Sequence, residues 1–203
     1  MHKIVRELYL RQDIPCSSNL CRACLEIAPK DYTNKTAPFV LSDTPVGSKN
    51  FPNGQYLVPD TNAFLTGMDL FEVETAFHDV VVLQTVLEEV KNRSLPLYHR
   101  LIALTKNEGK RFYVFFNEFR QETYVARESG ETINDRNDRA VRRAVQWYNL
   151  HITTAVRARS KKQTRIPSVV MITDDRDNLK KARAEEIPAI TRELRDVYGL
   201  CCY

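Results

Sequence analysis

Asp60 follows the apolar run YLVP (56–59), and Asp174 and Asp175 follow SVVMIT (168–173). Strands that stop on a carboxylate have a physical reason to do so. In open parallel sheets the ligand crevice lies just beyond the carboxyl ends of the strands, so Asp60 and one of Asp174 or Asp175 are expected to converge there. An aspartate after a strand also caps the next helix, so a ligand site requires further acids to join them. Two helical segments supply candidates. In TVLEEVKNR (85–93), Val86, Leu87 and Val90 form a buried face at about 100° per residue, which puts Glu89 at its margin and turns Glu88 to solvent. In NDRNDRAVRRAVQWYNLH (134–151), Ala140, Val141, Ala144, Trp147, Tyr148 and His151 share a face. Asp138 lies at the margin of that face in the first turn, where the helix dipole also favours an acid, while Asp135 points away or caps.

Four acids brought together repel one another and hold their protons more tightly. A divalent cation removes that repulsion, and an all-oxygen ligand set suits Mg²⁺ or Mn²⁺. One or two such ions, about 3.5–4 Å apart when paired, clamp a phosphodiester and activate water. A metal-dependent phosphatase is a weaker reading, because a haloacid-dehalogenase site requires a second aspartate two residues after the first and Asn62 stands there. No G-x-S-x-G elbow or H-E-x-x-H pair occurs. With only six glycines, the chain also carries no G-x-G-x-x-G or P-loop pattern.

The elements that must position these acids alternate. Strands are expected at 3–10, 56–59, 79–84 (DVVVLQ), 111–116 (RFYVFF), 168–173 and 187–190 (IPAI). Helices are expected at 61–70 with Asn62 or Thr61 near the cap, at 85–93, from Pro96 through Leu104, at 136–152, at 176–186 and at 191–198. Alternation of this kind, with a β-branched run such as DVVVLQ, predicts a parallel sheet of about five strands with helices on both faces. Residues 11–54 read as a long irregular segment rich in turn chemistry, so the expected division is an N-terminal strand and cysteine segment (1–54) packed on an α/β domain (55–200). The 203 residues suffice for one good core. Net charge is +4, which permits a polyanion partner without demanding one. No apolar run approaches the roughly 18–20 residues of a membrane span, and MHKIVRELYL lacks a secretory apolar core, so no membrane partner and an intracellular location are expected.

VPDTN, VLEEVKNRS, NDRNDRA and TDDRDN, in this order and spacing, resemble a PIN domain. With KIVRELYLRQDIPC ahead of them, they resemble the amino-terminal region of the RNase II/R-like catalytic subunits of the eukaryotic RNA exosome, across nearly the whole chain. That resemblance implies a PIN-like fold and a Mn²⁺- or Mg²⁺-dependent endoribonuclease acting on single-stranded RNA. By motif position its four acids are Asp60, Glu89, Asp138 and Asp175. The last motif departs from the family's Thr-Asn-Asp-Arg, with Asp174 replacing the Asn. The resemblance further implies docking onto exosome core subunits, continuation of the polypeptide into cold-shock, exonuclease and S1-type domains, and work in the nucleus and nucleolus and also the cytoplasm. An alternative is that the chain is mainly a tether to the core, with weak or secondary cleavage.

Cys16, Cys21 and Cys24 form C-x4-C-x2-C, a spacing that suggests metal more than disulfide in an intracellular chain, while the adjacent Cys201 and Cys202 read as tail. The family's three-cysteine motif supports core binding. Three thiolates lack the fourth ligand of a tetrahedral structural zinc, and His2, His78, His99 and His151 are the candidates. His151 is preferred, on the buried side of its helix one turn after Trp147, although a core histidine there needs no metal. Such a zinc would lie about 20 Å along the helix from Asp138. Arg139, Arg142 and Arg143, with the basic stretch RARSKKQTR (157–165), offer either a solvated face, or a phosphate-tracking surface for single-stranded RNA or a contact to exosome subunits.

Overall fold

The computed structural model describes residues 9–27, 40–159 and 165–192. The strand expected at 3–10 and the helix expected at 191–198 fall almost wholly outside the described residues; Cys201, Cys202 and much of the basic stretch lie outside them too. In chain order the elements are α1 (Arg22–Ile27), β1 (Gln55–Pro59), α2 (Thr61–Glu72), β2 (Val80–Leu83), α3 (Gln84–Arg93), α4 (Leu95–Thr105), β3 (Phe112–Phe115), α5 (Ile133–Arg159), β4 (Ser168–Ile172), α6 (Arg176–Ala184) and β5 (Ala189–Ile190).

The five strands form one parallel sheet in the order β3-β2-β1-β4-β5. Every residue of β1 and β2 is buried, which requires cover on both faces and explains why these runs are continuously apolar rather than alternating. α2, α3 and α4 pack against one another, and α5 packs against β4 and α3. A five-stranded parallel sheet is what the alternation of strands and helices predicts. Its order reverses between β1 and β4: the chain runs outward from β1 to β2 and β3, then returns to the other side of β1. That topological switch point is where open α/β sheets bind ligands.

Three helix boundaries differ from expectation, the first two for local reasons. α2 is capped by Asp60 itself, whose Oδ1 accepts from the Ala63 N–H at 2.7 Å, rather than by Thr61 or Asn62. α4 begins at Leu95 because Ser94 is its N-cap and Pro96 fits the first turn, where its missing N–H costs nothing. α5 is longer than its apolar stripe predicted, running 27 residues, or about 40 Å.

The cysteine segment is part of the core. Ile14, Cys16, Leu20, Cys21, Cys24 and Leu41 are buried in the same apolar cluster as the sheet. Aromatic hydroxyls fix its backbone: Tyr113 donates to the Pro15 carbonyl (2.7 Å) and Tyr148 to the Cys16 carbonyl (3.1 Å). Buried Asp79, at the start of β2, holds the far end by accepting from the Ser42 N–H (2.7 Å) while pairing with Arg111.

Candidate active site and metal centre

Asp60 and Asp175 both cap helices, and both face the switch point. The β1–β4 pairing continues beyond the strands, with the Asp60 N–H donating to the Ile172 carbonyl at 2.9 Å. Asp60 is therefore held beside the end of β4. Asp175 caps α6, its Oδ1 accepting from Asp177 N (2.8 Å) and Asn178 N (2.9 Å). Neighbouring Asp174 pairs with Arg192 beyond β5 (2.8 Å), and its charge still raises the Asp60 carboxyl. The two adjacent carboxylates thus have different partners.

Glu89 and Asp138 come to the same end from α3 and α5. The Glu89 carboxylate, its side chain 15% exposed, accepts from the Thr61 hydroxyl (2.9 Å) and the Asn137 amide (3.3 Å), while pairing with Arg93 (2.5 Å). Thr61 and Asn137 are the immediate neighbours of Asp60 and Asp138. Glu88 is exposed and bonds within its own turn to Gln84, and Asp135 is exposed and caps with Thr132. The helical phase thus sorts the two pairs of acids as their periodicity predicts.

Electrostatics tie the acids together. Burial pushes the Asp60 carboxyl up to about 6, against hydrogen bonds from Thr173 and Ala63, with Asp174 and Asp175 adding repulsion. Burial likewise pushes Asp138 up to about 6, and the charges of Asp60, Asp175 and Glu89 raise it further while Arg142 opposes them. These carboxyls feel one another across four different elements. A divalent cation bound among them would replace that repulsion with attraction, and the donor set is all oxygen, so the residues fit Mn²⁺ or Mg²⁺.

A second cluster has the opposite donor chemistry. The Sγ atoms of Cys16, Cys21 and Cys24 and a ring nitrogen of His151 all lie within 4.8 Å of one another, the only group this tight among the described residues. His151 Nε2 is 3.2 Å from both Cys21 Sγ and Cys24 Sγ. Its ring stacks on Trp147 (4.5 Å between centroids), which itself stacks on Phe115 (5.2 Å). Burial alone would lower the His151 pKa, but contact with the Cys21 and Cys24 sulfurs raises it to about 9. Hydrogen bonds from the Cys16 and Cys24 thiols pull Cys21 strongly down, while the same sharing pushes Cys16 up. Three sulfurs and one imidazole at this spacing fit a closed tetrahedral zinc site. α5 carries Asp138 near one end and His151 thirteen residues later, so the two clusters are about 20 Å apart along one rigid helix.

The basic residues behave differently from one another. Arg142, with its side chain only 7% exposed, is no surface cation: it donates to Glu185 (2.9 Å) and to Asn178 Oδ1 (2.7 Å). It therefore bridges α5 to α6, because it lies on the half-buried stripe one turn after Asp138. Arg139 is paired with Glu131 (2.7 Å) and Glu128 (3.1 Å), which neutralise it. Arg143 is exposed and donates to the Glu122 carbonyl (3.0 Å).

Sequence reasoning missed a third acid at a strand end. Glu118 lies three residues past β3, where it binds Arg136 in a two-point ion pair (2.5 and 2.6 Å) and accepts from the Thr85 hydroxyl. The strand-end rule that found Asp60 would have found it, because FYVF is followed by Phe116, Asn117 and Glu118.

A parallel five-stranded sheet with acids at its switch point defines a class, and the comparisons agree on which. The chain belongs to the PIN-domain family, whose model, described as PIN domain, matches residues 57–193. Among its relatives is the mouse protein named exosome complex exonuclease RRP44, 44% identical over 199 residues, covering 94% of this chain and 19% of the relative. The Schizosaccharomyces pombe exosome complex exonuclease dis3 is 39% identical over 191 residues, covering 94% and 19%. The solved T. brucei RRP44 PIN domain superposes with a TM-score of 0.71 at 30% identity, covering 90% of this chain and 88% of that one. The resemblance read from the motifs is thereby borne out. The chain spans about a fifth of the length of the curated relatives it matches. No helix among the described residues is long and apolar enough to cross a membrane.

Proposed function

We propose that this chain is a divalent-metal-dependent endoribonuclease module that cuts single-stranded RNA, and that it also docks a longer exosome exonuclease onto the exosome core. The observation that carries the first part is the meeting of Asp60, Glu89, Asp138 and Asp175 at the switch point, with Asp60 and Asp138 both raised to about 6, chiefly by burial, and Asp138 further by the charges of Asp60, Asp175 and Glu89. A pure tether has no use for buried, mutually repelling carboxylates. When bound, Mn²⁺ or Mg²⁺ would supply charge neutralisation at the phosphodiester and a more acidic water.

The chain's own residues do the positioning. Thr61 and Asn137, the neighbours of Asp60 and Asp138, hold the Glu89 carboxylate. The α2 and α6 N-termini fix Asp60 and Asp175 through their caps. Arg142 links the α5 turn carrying Asp138 to Asn178, whose own N–H binds Asp175. Docking is supported by the names of the relatives and by the cysteine segment, which the Cys/His cluster and the Tyr113 and Tyr148 hydroxyls hold in one conformation.

A circular single-stranded RNA tests the chemistry, since an exonuclease cannot start on it and a tether ignores it. Mn²⁺-dependent linearisation, abolished by EDTA, is expected. It should fall at least roughly 10²-fold in Asp60→Asn or Asp138→Asn, the scale of losing a charge-stabilising group. Glu88→Gln should matter much less. An uncut circle with folded protein in Mn²⁺ would leave only the tether.

A further inference from the structure

A cleft of about 690 Å³ opens beside the carboxylates, over the ends of β2 and β3, with Glu89 in its wall. Its charge and its apolar surface point in one direction. The acids lining it are Glu88, Glu89 and Glu118, and the lining cation is Arg136. Arg136 is consumed: besides the two-point pair with Glu118, it donates to the Val125 carbonyl at 2.6 and 2.8 Å. A phosphate entering this cleft still meets net negative charge, with Arg136 already engaged by Glu118 and Arg93 already engaged by Glu89. A neutral ligand meets none of that penalty.

The same cleft presents two large apolar side chains to solvent. Phe119, in the turn after β3, is 40% exposed, and Ile133, the first residue of α5, is 67% exposed. Single exposed apolar residues are unremarkable, but two that line one cleft form a patch that a ligand can cover. The Asn92 and Asn137 amides on the same lining offer both donors and acceptors. The Phe119 backbone is held in place, its carbonyl accepting from the Arg11 N–H at 2.7 Å, so the ring is carried on an anchored turn.

We propose that this cleft is a nucleobase subsite: it takes the unpaired base adjoining the scissile phosphate, stacked on Phe119 against Ile133, while the sugar-phosphate backbone passes over the carboxylates. The proposal rests on the nuclease reading above. Stacking on an aromatic ring is tolerant of base identity, so it would let the site act on many single strands and exclude duplexes, whose bases are already stacked. Because Glu89 belongs both to the cleft and to the acid cluster, the base held here is next to the cut.

An abasic walk tests it. Single-stranded oligonucleotides each lacking one base, at successive positions around one cleavage site, are compared in Mn²⁺. In the wild type, kcat/KM should fall roughly tenfold when one particular base beside the cut is missing. Phe119→Ala should cut the complete oligonucleotide roughly tenfold less well, and removing that base should then change its rate less than twofold. Leu150→Ala, another exposed apolar residue, should behave as wild type. A second readout needs no cleavage: 2-aminopurine at that position, in an oligonucleotide saturating the Asp60→Asn variant, should be quenched, and the quench should be lost with Phe119→Ala. A flat walk with cutting intact, or an equal abasic penalty with and without Phe119, overturns the subsite and leaves the nuclease reading standing. If no oligonucleotide is cut, that reading fails, and the 2-aminopurine signal alone decides the cleft. Loss of exosome-core binding in Phe119→Ala with an unchanged walk would assign the patch to a protein partner and also overturn the proposal.

Discussion

Asp60→Asn should stabilise the metal-free protein at alkaline pH, although it removes a residue central to the proposed chemistry. Asp60 is 3% exposed and its carboxyl is raised from the ordinary 3.8 to about 6, first by burial and then by Asp174 and Asp175. Between those two values the folded protein keeps a proton that the unfolded chain gives up. Stability therefore falls as pH rises through this window and does not recover above it. At 1.36 kcal/mol per pH unit, the deficit from Asp60 approaches about 3 kcal/mol at pH 8. Asparagine keeps the shape and can still accept from Ala63 N, so the α2 cap survives at little cost. The variant should be about 1–3 kcal/mol more stable than wild type at pH 8 in EDTA, a rise of about 2–4 °C per kcal/mol in a domain of this size. Near pH 4 the two should converge. Adding Mn²⁺ at pH 8 to about a thousand times its Kd should reverse the order, since that contributes about 4.1 kcal/mol to the wild type and much less to a variant that has lost a ligand charge. Denaturation followed by circular dichroism at both pH values, with and without Mn²⁺, gives all four quantities. A variant destabilised equally at pH 4 and pH 8 would show that Asp60 is only a helix cap, and the convergence argument would fail with it.

Purified protein should contain about one zinc per chain, lost in Cys21→Ser together with binding to the exosome core; metal-free folded protein with three reactive thiols would refute the Cys16, Cys21, Cys24 and His151 site. Arg142→Met should weaken Mn²⁺ binding, measured by electron paramagnetic resonance, and lower kcat with KM for RNA unchanged, because Arg142 joins the turn of Asp138 to the cap of Asp175. A raised KM with unchanged Mn²⁺ affinity would make it an RNA contact instead.

Periodicity carried the local half of this structure. Continuous apolar runs gave β1, β2 and β4, because a strand buried on both faces has no polar side to alternate with. Helical phase separated Glu89 from Glu88 and Asp138 from Asp135, since which face a side chain occupies depends only on its own helix. It also placed His151 on the inner face of α5, within reach of whatever packs there. The six-residue α1 carried no such signal, being too short to show a period. What packs there was decided elsewhere in the chain. Cys24 meets His151 across 127 residues, and β4 comes to lie beside β1 rather than β3, because long-range pairing is fixed by the summed burial of whole elements and not by any local pattern. Asp174 and Asp175 are adjacent and chemically identical; only Arg192 beyond β5 and the start of α6 give them different tasks. Arg142 reads as one more surface cation until Asn178 and Glu185 close over it. The acids were legible one by one in the sequence, and their meeting was a property of the strand order.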